Sequence, residues 1–290
     1  MANTDFITFA ETIARSSDSL GLLPVIEKEL LHYEILRIME DEGFLEKLTF
    51  QGGTCLRLCY GASRYSEDLD FAGGRDFDFL SISKLKDAIE KSLSRRYEME
   101  VVVSDKPEKV DDSGVAVKRW QIKVTTAPER PDIPLQRISI EVASIDAHTR
   151  RLRPLILNYE QLPVSYADIL LATETLEEIC ADKLKAFLTA PYVRHRDLWD
   201  MRWIARRPKF DRDQLPALFE MKLDDYHQRD AIRAAAGRID DIPSIVDSSG
   251  FSQQMKRFLP SSIQNKTIER PGFLENIAEE VTALYDLVMP

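Results

Sequence analysis

Between Val25 and Leu45 the apolar residues Val25, Leu30, Leu31, Ile35, Leu36, Ile38 and Met39 return at helical spacing among charges, which predicts a long amphipathic helix. Residues 5–20 alternate more loosely and predict a first helix, set apart by Pro24. Another amphipathic helix is predicted over 81–96, with Leu85, Ala88, Ile89 and Leu93 on one side. Between these helices the period changes. Residues 48–74, LTFQGGTCLRLCYGASRYSEDLDFAGG, read as strand, Gly-Gly turn, short helix, loop and acidic strand. In the acidic strand, alternation puts Ser66, Asp68 and Asp70 on one face, with Leu69 and Phe71 on the other.

Further strands are predicted at 99–103 and 115–125, joined by a hairpin loop over 106–114, and at 135–143. In the last of these, Ile138, Ile140 and Val142 face one way while Arg137, Ser139 and Glu141 face the other. Residues 150–163, with Pro154 and Pro163, read as a connector, and from Asp168 onward the chain reads as almost wholly helical. Over 176–188 the apolar face is Leu176, Ile179, Cys180, Leu184, Phe187 and Leu188, and helical phase puts Lys183 inside it and Lys185 outside. An inward lysine needs an anionic partner or a route by which its ammonium reaches water. Asp197 aligns with Met201 and Ile204, again a charge among apolar neighbours, and is a candidate partner for Lys183. The pattern as a whole predicts an α+β protein, with a mixed-sheet lobe over residues 1–160 and a helical lobe over 161–290.

A length of 290 residues and a hydrophobic content of 44% allow two lobes with sizeable cores. No apolar run approaches the ~18 residues of a membrane span, and MANTDFITFAET has neither a basic start nor an apolar stretch, so a cytoplasmic protein without a membrane partner is expected. Cys55, Cys59 and Cys180 are too few for a disulfide framework or a four-ligand zinc site and read as core thiols. The net charge of −10 excludes a protein that coats nucleic acid indiscriminately. It leaves room for a local basic surface, for which Arg150, Arg151 and Arg153, and then Arg194, Arg196, Arg202, Arg206 and Arg207, are the candidates; a solvated helix face is the plainer reading of any one of them.

The candidate chemistry lies in 48–74. Gly52-Gly53 lets the backbone turn sharply and approach a ligand, and the helix beginning at Thr54 would offer unpaired N–H groups to a phosphate. Asp68 and Asp70, side by side, repel each other unless a cation lies between them, so a metal-bound phosphate is the chemistry they suit. A solvated strand end beside a Gly turn would need the same residue types.

Gly52-Gly53-Thr54 followed by Arg64, Ser66, Asp68, Leu69 and Asp70 resembles the first motif of the DNA polymerase β-like nucleotidyltransferases, and more narrowly the AbiEii/AbiGii abortive-infection toxins. Glu178 to Ala186, followed by Arg196-Asp197-Leu198-Trp199-Asp200, is similar to the family's later signature, so the resemblance spans roughly residues 48–205. It implies a polymerase β-like lobe with a helical C-terminal lobe, acting as a toxin in a bacterial toxin–antitoxin or phage-defence system, with a cognate antitoxin as possible partner. It implies Asp68, Asp70 and Glu141 as ligands of Mg²⁺; the family more often has Asp in the third place. Gly52, Gly53, Thr54, Arg64, Ser66 and Lys183 would bind the nucleoside triphosphate, and Asp197 would orient Lys183 or take a proton from the acceptor hydroxyl. The acceptor it implies is RNA, at the 3′ end of transfer RNA, with pyrophosphate released. The same chemistry on a small molecule such as an aminoglycoside, or on a protein hydroxyl, stays open, as does a nucleotide binder without turnover.

Overall fold

In a computed structural model that describes residues 3–16, 19–110, 114–129 and 135–289, the chain divides by its contacts into two units. The division falls after Thr173.

The first unit holds helices α1 (Asn3–Ser16), α2 (Leu23–Asp41), α3 (Gly52–Tyr60) and α4 (Leu85–Tyr97). Its strands are β1 (Thr49–Gln51), β2 (Leu69–Ala72), β3 (Val101–Asp105), β4 (Lys109–Val110), β5 (Ala116–Val124), β6 (Gln136–Ala143), β7 (Arg151–Pro154) and β8 (Leu170–Thr173). They form one mixed sheet in the order β3-β5-β6-β2-β1-β8-β7, with β4 also on β5. The α+β class follows. The hairpin loop expected over 106–114 contains the short β4, and its residues 111–113 lie outside the described residues.

The stretch expected to be a connector contains β7, which pairs antiparallel with β8, and β8 pairs parallel with β1 through Phe50 and Thr173. The physical reason is length. Four-residue strands at a sheet margin need no periodic signature, and Pro154 is tolerated because it ends an edge strand.

Buried charge fixes α2 to the sheet and to the loop before β2. Glu27 accepts from Thr126 Oγ1 at 3.0 Å and Gln136 Nε2 at 2.9 Å, and Glu29 holds Arg57 of α3 at 2.7 Å. His32 donates through Nε2 to the Glu67 carbonyl at 2.9 Å. Burial pushes the His32 imidazole down to about 4, outweighing the Glu67 bond and the nearby Glu29 carboxylate, which raise it. The unfolded chain takes this proton near 6.5 and the folded one near 4, so stability is complete above 6.5 and drains as pH falls through that window, by up to about 3 kcal/mol. Melts of the wild type and His32→Gln over that range should therefore converge as the solution is acidified. Parallel curves would remove His32 from the acid response.

The second unit is helical: α5 (Leu176–Thr189), α6 (His195–Ala205), α7 (Leu215–Asp225), α8 (Arg229–Ala235), α9 (Ile242–Asp247), α10 (Ser249–Lys256), α11 (Ser261–Lys266) and α12 (Phe273–Val288). Helix α5 is capped by Thr175 and buried on more than one side. Lys222 of α7, wholly buried, meets Glu174, Glu178 and Asp182 at 2.9, 2.7 and 3.0 Å. Burial alone would discharge this lysine, but the three carboxylates hold it protonated. Cys55, Cys59 and Cys180 are buried free thiols, in line with core thiols.

Candidate active site

Register brings four polar side chains into a row on one face of the sheet. Gln51 of β1 faces Asp70 of β2, Asp70 faces Glu141 of β6, and Glu141 faces Arg119 of β5. Paired residues on neighbouring strands share a face, so the row crosses four strands. Asp68, just before β2, joins it: Ser139 N donates to Asp68 Oδ1 at 3.0 Å, and Thr54 Oγ1 donates to the Asp68 carbonyl. The hydroxyl of Thr54 is thus committed within the fold, and what Thr54 can offer a ligand is its backbone N–H. Lys28, bound to Glu67 at 3.0 Å, and His32 hold the same loop from α2.

Arg119 and Gln51 were not marked by the sequence pattern. Alternation along 116–124 puts Arg119 opposite the buried Trp120, but only the pairing of β5 with β6 turns it onto Glu141, at 2.7 Å. That bond comes first in raising the Arg119 guanidinium, against partial desolvation, with Asp68 and Asp70 adding to it. The acids are therefore already partly neutralised by a cation from the chain. Gln51 stands at the N-cap position of α3 without a side-chain capping bond, and its buried Oε1 has no hydrogen-bond partner.

The Gly-Gly turn is built for contact. Gly52 has φ +76°, and a Cβ there would lie 2.7 Å from Asp70 Oδ2; a Cβ on Gly53 would lie 2.6 Å from Arg64 Nη2 and 2.9 Å from Ser66 Oγ. Arg64 and Ser66 are buried against this turn, and Arg64 Nη1 donates to the Tyr65 carbonyl at 2.6 Å. The first N–H groups of α3 lack intrahelical acceptors and open beside the acids. Gly52→Ala should cost about 1–2 kcal/mol for the left-handed backbone alone and push the Asp70 carboxylate out of the row. A variant with wild-type melting would contradict this geometry.

In the second unit Lys183 binds Asp197 Oδ1 and Asp200 Oδ2, each at 2.8 Å, and Arg194 bonds the other oxygen of Asp197. Burial would raise the Asp197 carboxyl, but Lys183 and Arg194 bring it well below the ordinary carboxylate range. The expected exposure of Lys185 is corrected. Lys185 is buried too, 3.6 Å from Asp182 and over the Tyr226 ring, because α7 covers the side of α5 that helical phase had left to solvent. Burial lowers its ammonium to about 8.

The arginines of α6 divide. Arg194 and Arg196 line a cavity of about 220 Å³ with Asp197. Arg202 and Arg206 turn to α12, bonding Asn276 and Glu280, and Arg207 lies over the Trp203 ring. Arg202 and Arg206 are thus engaged with α12, though Arg206 stays exposed, while Arg194 and Arg196 face the cavity.

The family model for the nucleotidyl transferase AbiEii toxin of type IV toxin–antitoxin systems matches residues 34–278. The chain belongs to this family. The AbiEii match takes in the row of acids, the Gly-Gly turn and both Lys183 and Asp197, and makes the chain a nucleotidyltransferase toxin of a type IV toxin–antitoxin system, for which a cognate antitoxin and a nucleotide substrate are implied. Among solved structures, MenT4, a nucleotidyltransferase toxin from Mycobacterium tuberculosis H37Rv, has the same fold at 20% identity, with 96% of this chain and 89% of that one covered and a TM-score of 0.65. JHP933 from Helicobacter pylori is also 20% identical, with 91% of each chain covered and a TM-score of 0.47. Comparison with curated proteins gives no match. Among the described residues no helix of this AbiEii-family chain is long and apolar enough to cross a membrane.

Proposed function

We propose that this AbiEii-family toxin moves a nucleotide from a nucleoside triphosphate to a hydroxyl of RNA, at the 3′ end of transfer RNA, and releases pyrophosphate. The observation that carries the reading is the row Asp70–Glu141–Arg119, joined by Asp68 and flanked by the Gly52-Gly53 turn. In this reaction the acceptor oxygen bonds to the α-phosphorus as the bond to the pyrophosphate oxygen breaks, with attacking and leaving oxygens roughly in line. The turn and the N-terminal N–H groups of α3 would hold the triphosphate, with Arg64 and Ser66 behind them.

Asp68, Asp70 and Glu141 offer only oxygen donors, which suits a hard cation such as Mg²⁺. Among the described residues no three such ligands already close on one point, so Glu141 would exchange Arg119 for the ion. Bound there, the ion would supply charge neutralisation and a more acidic acceptor hydroxyl. Asp197, held ionised by two cations, is a poor proton acceptor, which supports its orienting Lys183.

A second reading, transfer to a small molecule or protein hydroxyl, is favoured by one observation: Arg206 is paired with Glu280 and Arg202 is bonded to Asn276, which reduces what these two arginines offer RNA. Incubation with each labelled triphosphate in Mg²⁺, with and without total RNA, separates the two. Label should enter RNA of transfer-RNA size; label entering no RNA would reject the first reading.

A further inference from the structure

On the sheet, β1 and α3 lie to one side of β2, while β5 and β4 lie beyond β6 on the other. The turn proposed to hold the triphosphate is therefore at one end of the row of acids. At the other end is a cavity of about 730 Å³ whose walls include Lys106, Lys109, Arg119, Gln121 and Glu141, with Val110 among its apolar residues. Arg119 bridges the two features, since it ends the row and lines the cavity. Among the described residues no carboxylate lies within ion-pair distance of Lys106 or Lys109, and both are exposed. Two exposed ammonium groups beside a guanidinium, with no carboxylate partner among the described residues, make a site for more than one negative charge.

In-line displacement decides which charge. If pyrophosphate leaves toward α3, the attacking hydroxyl comes from the opposite side of the acids, where the cavity lies. We propose that this cavity seats the acceptor, with Lys106, Lys109 and Arg119 binding the phosphodiesters that precede the terminal nucleotide of an RNA strand and Gln121 bonding its sugar or base. The inference rests on the nucleotidyl-transfer reading above and assigns the acceptor side of that site. A small neutral acceptor would have no use for three cations, and a second triphosphate would duplicate the role of the turn.

The test uses the full chain and a fluorescein-labelled single-stranded oligoribonucleotide with a free 3′ hydroxyl, its affinity read by anisotropy across a salt series. Each single-strand phosphate contact contributes about 0.7 to the slope of log K against log salt, so Lys106→Gln/Lys109→Gln should flatten that slope by about 1.4 and weaken binding about 25-fold near 0.1 M salt. The KM for Mg·ATP should stay within roughly twofold, and the melt should match the wild type. Lys84→Gln/Lys91→Gln removes the same charge from exposed lysines that do not line the cavity, and should leave most of the affinity. Equal losses in both double variants, no RNA binding by the wild type, or an effect confined to the KM for Mg·ATP would each overturn the proposal. The transfer reading is judged separately, by label incorporation in the wild type. A protein that labels RNA while Lys106→Gln/Lys109→Gln binds it normally would keep the reading and lose the cavity.

Discussion

Asp70→Ala should lower nucleotide transfer by roughly 10³-fold or more, since loss of even an outer-shell partner of a metal costs about 10–100-fold. Asp68→Ala should do the same, yet the two variants should differ in stability. Asp70 has a like charge beside it in register at Glu141, so its removal relieves repulsion as well as removing its own contacts, and the melting temperature should fall less than in Asp68→Ala. Asp68 accepts from the Ser139 amide, and its removal leaves that donor unsatisfied at a cost of about 1–3 kcal/mol. Asp68→Asn retains an acceptor and should melt higher than Asp68→Ala while being as inactive. Transfer assays run beside thermal melts check the set. Turnover near wild type in both alanine variants would remove the row of acids from the chemistry.

The largest effect on stability is expected at Lys222. Its side chain is 0% exposed, as are those of Glu174 and Glu178, so Lys222→Met would leave three carboxylates facing one another without their cation. Breaking a buried ion pair from one side costs about 3–5 kcal/mol, and a cluster should lie at the upper end. Arg206→Gln, which breaks a half-exposed pair with Glu280, should cost less than about 1 kcal/mol. Urea midpoints of the two variants give the comparison directly. A Lys222→Met protein within about 1 kcal/mol of the wild type would mean that the carboxylates are neutral in the fold, as burial pushes Glu174 toward being.

What could be read from the chain was whatever is written in a local period. The alternation of 66–71 and 135–143 set the faces of Asp70 and Glu141, and the helices over 25–45 and 81–96 stand in the structure as α2 and α4. Whatever depends on which strand lies beside which was out of reach. Arg119 meets Glu141 only through the register of β5 on β6, and Gln51 acquires its place only when β1 pairs with β2. The phase of α5 was read for a helix with one covered side, and this failed for Lys185 because α7 covers another. Arg202 and Arg206 carry the charge of a nucleic-acid surface, and only the packing of α12 shows that both bond side chains of that helix.

The parallel pairing of Phe50 with Thr173 has a bearing on synthesis. The strand that carries the Gly-Gly turn emerges from the ribosome early, yet its second neighbour is made more than a hundred residues later. Until then β1 keeps one unpaired edge, so a nascent chain that already carries Asp68, Asp70 and Glu141 still lacks a finished sheet. Such late closure delays the maturation of a toxin until translation has passed Thr173, and it marks that residue as the earliest stop from which a recombinant fragment of the first unit can complete its sheet.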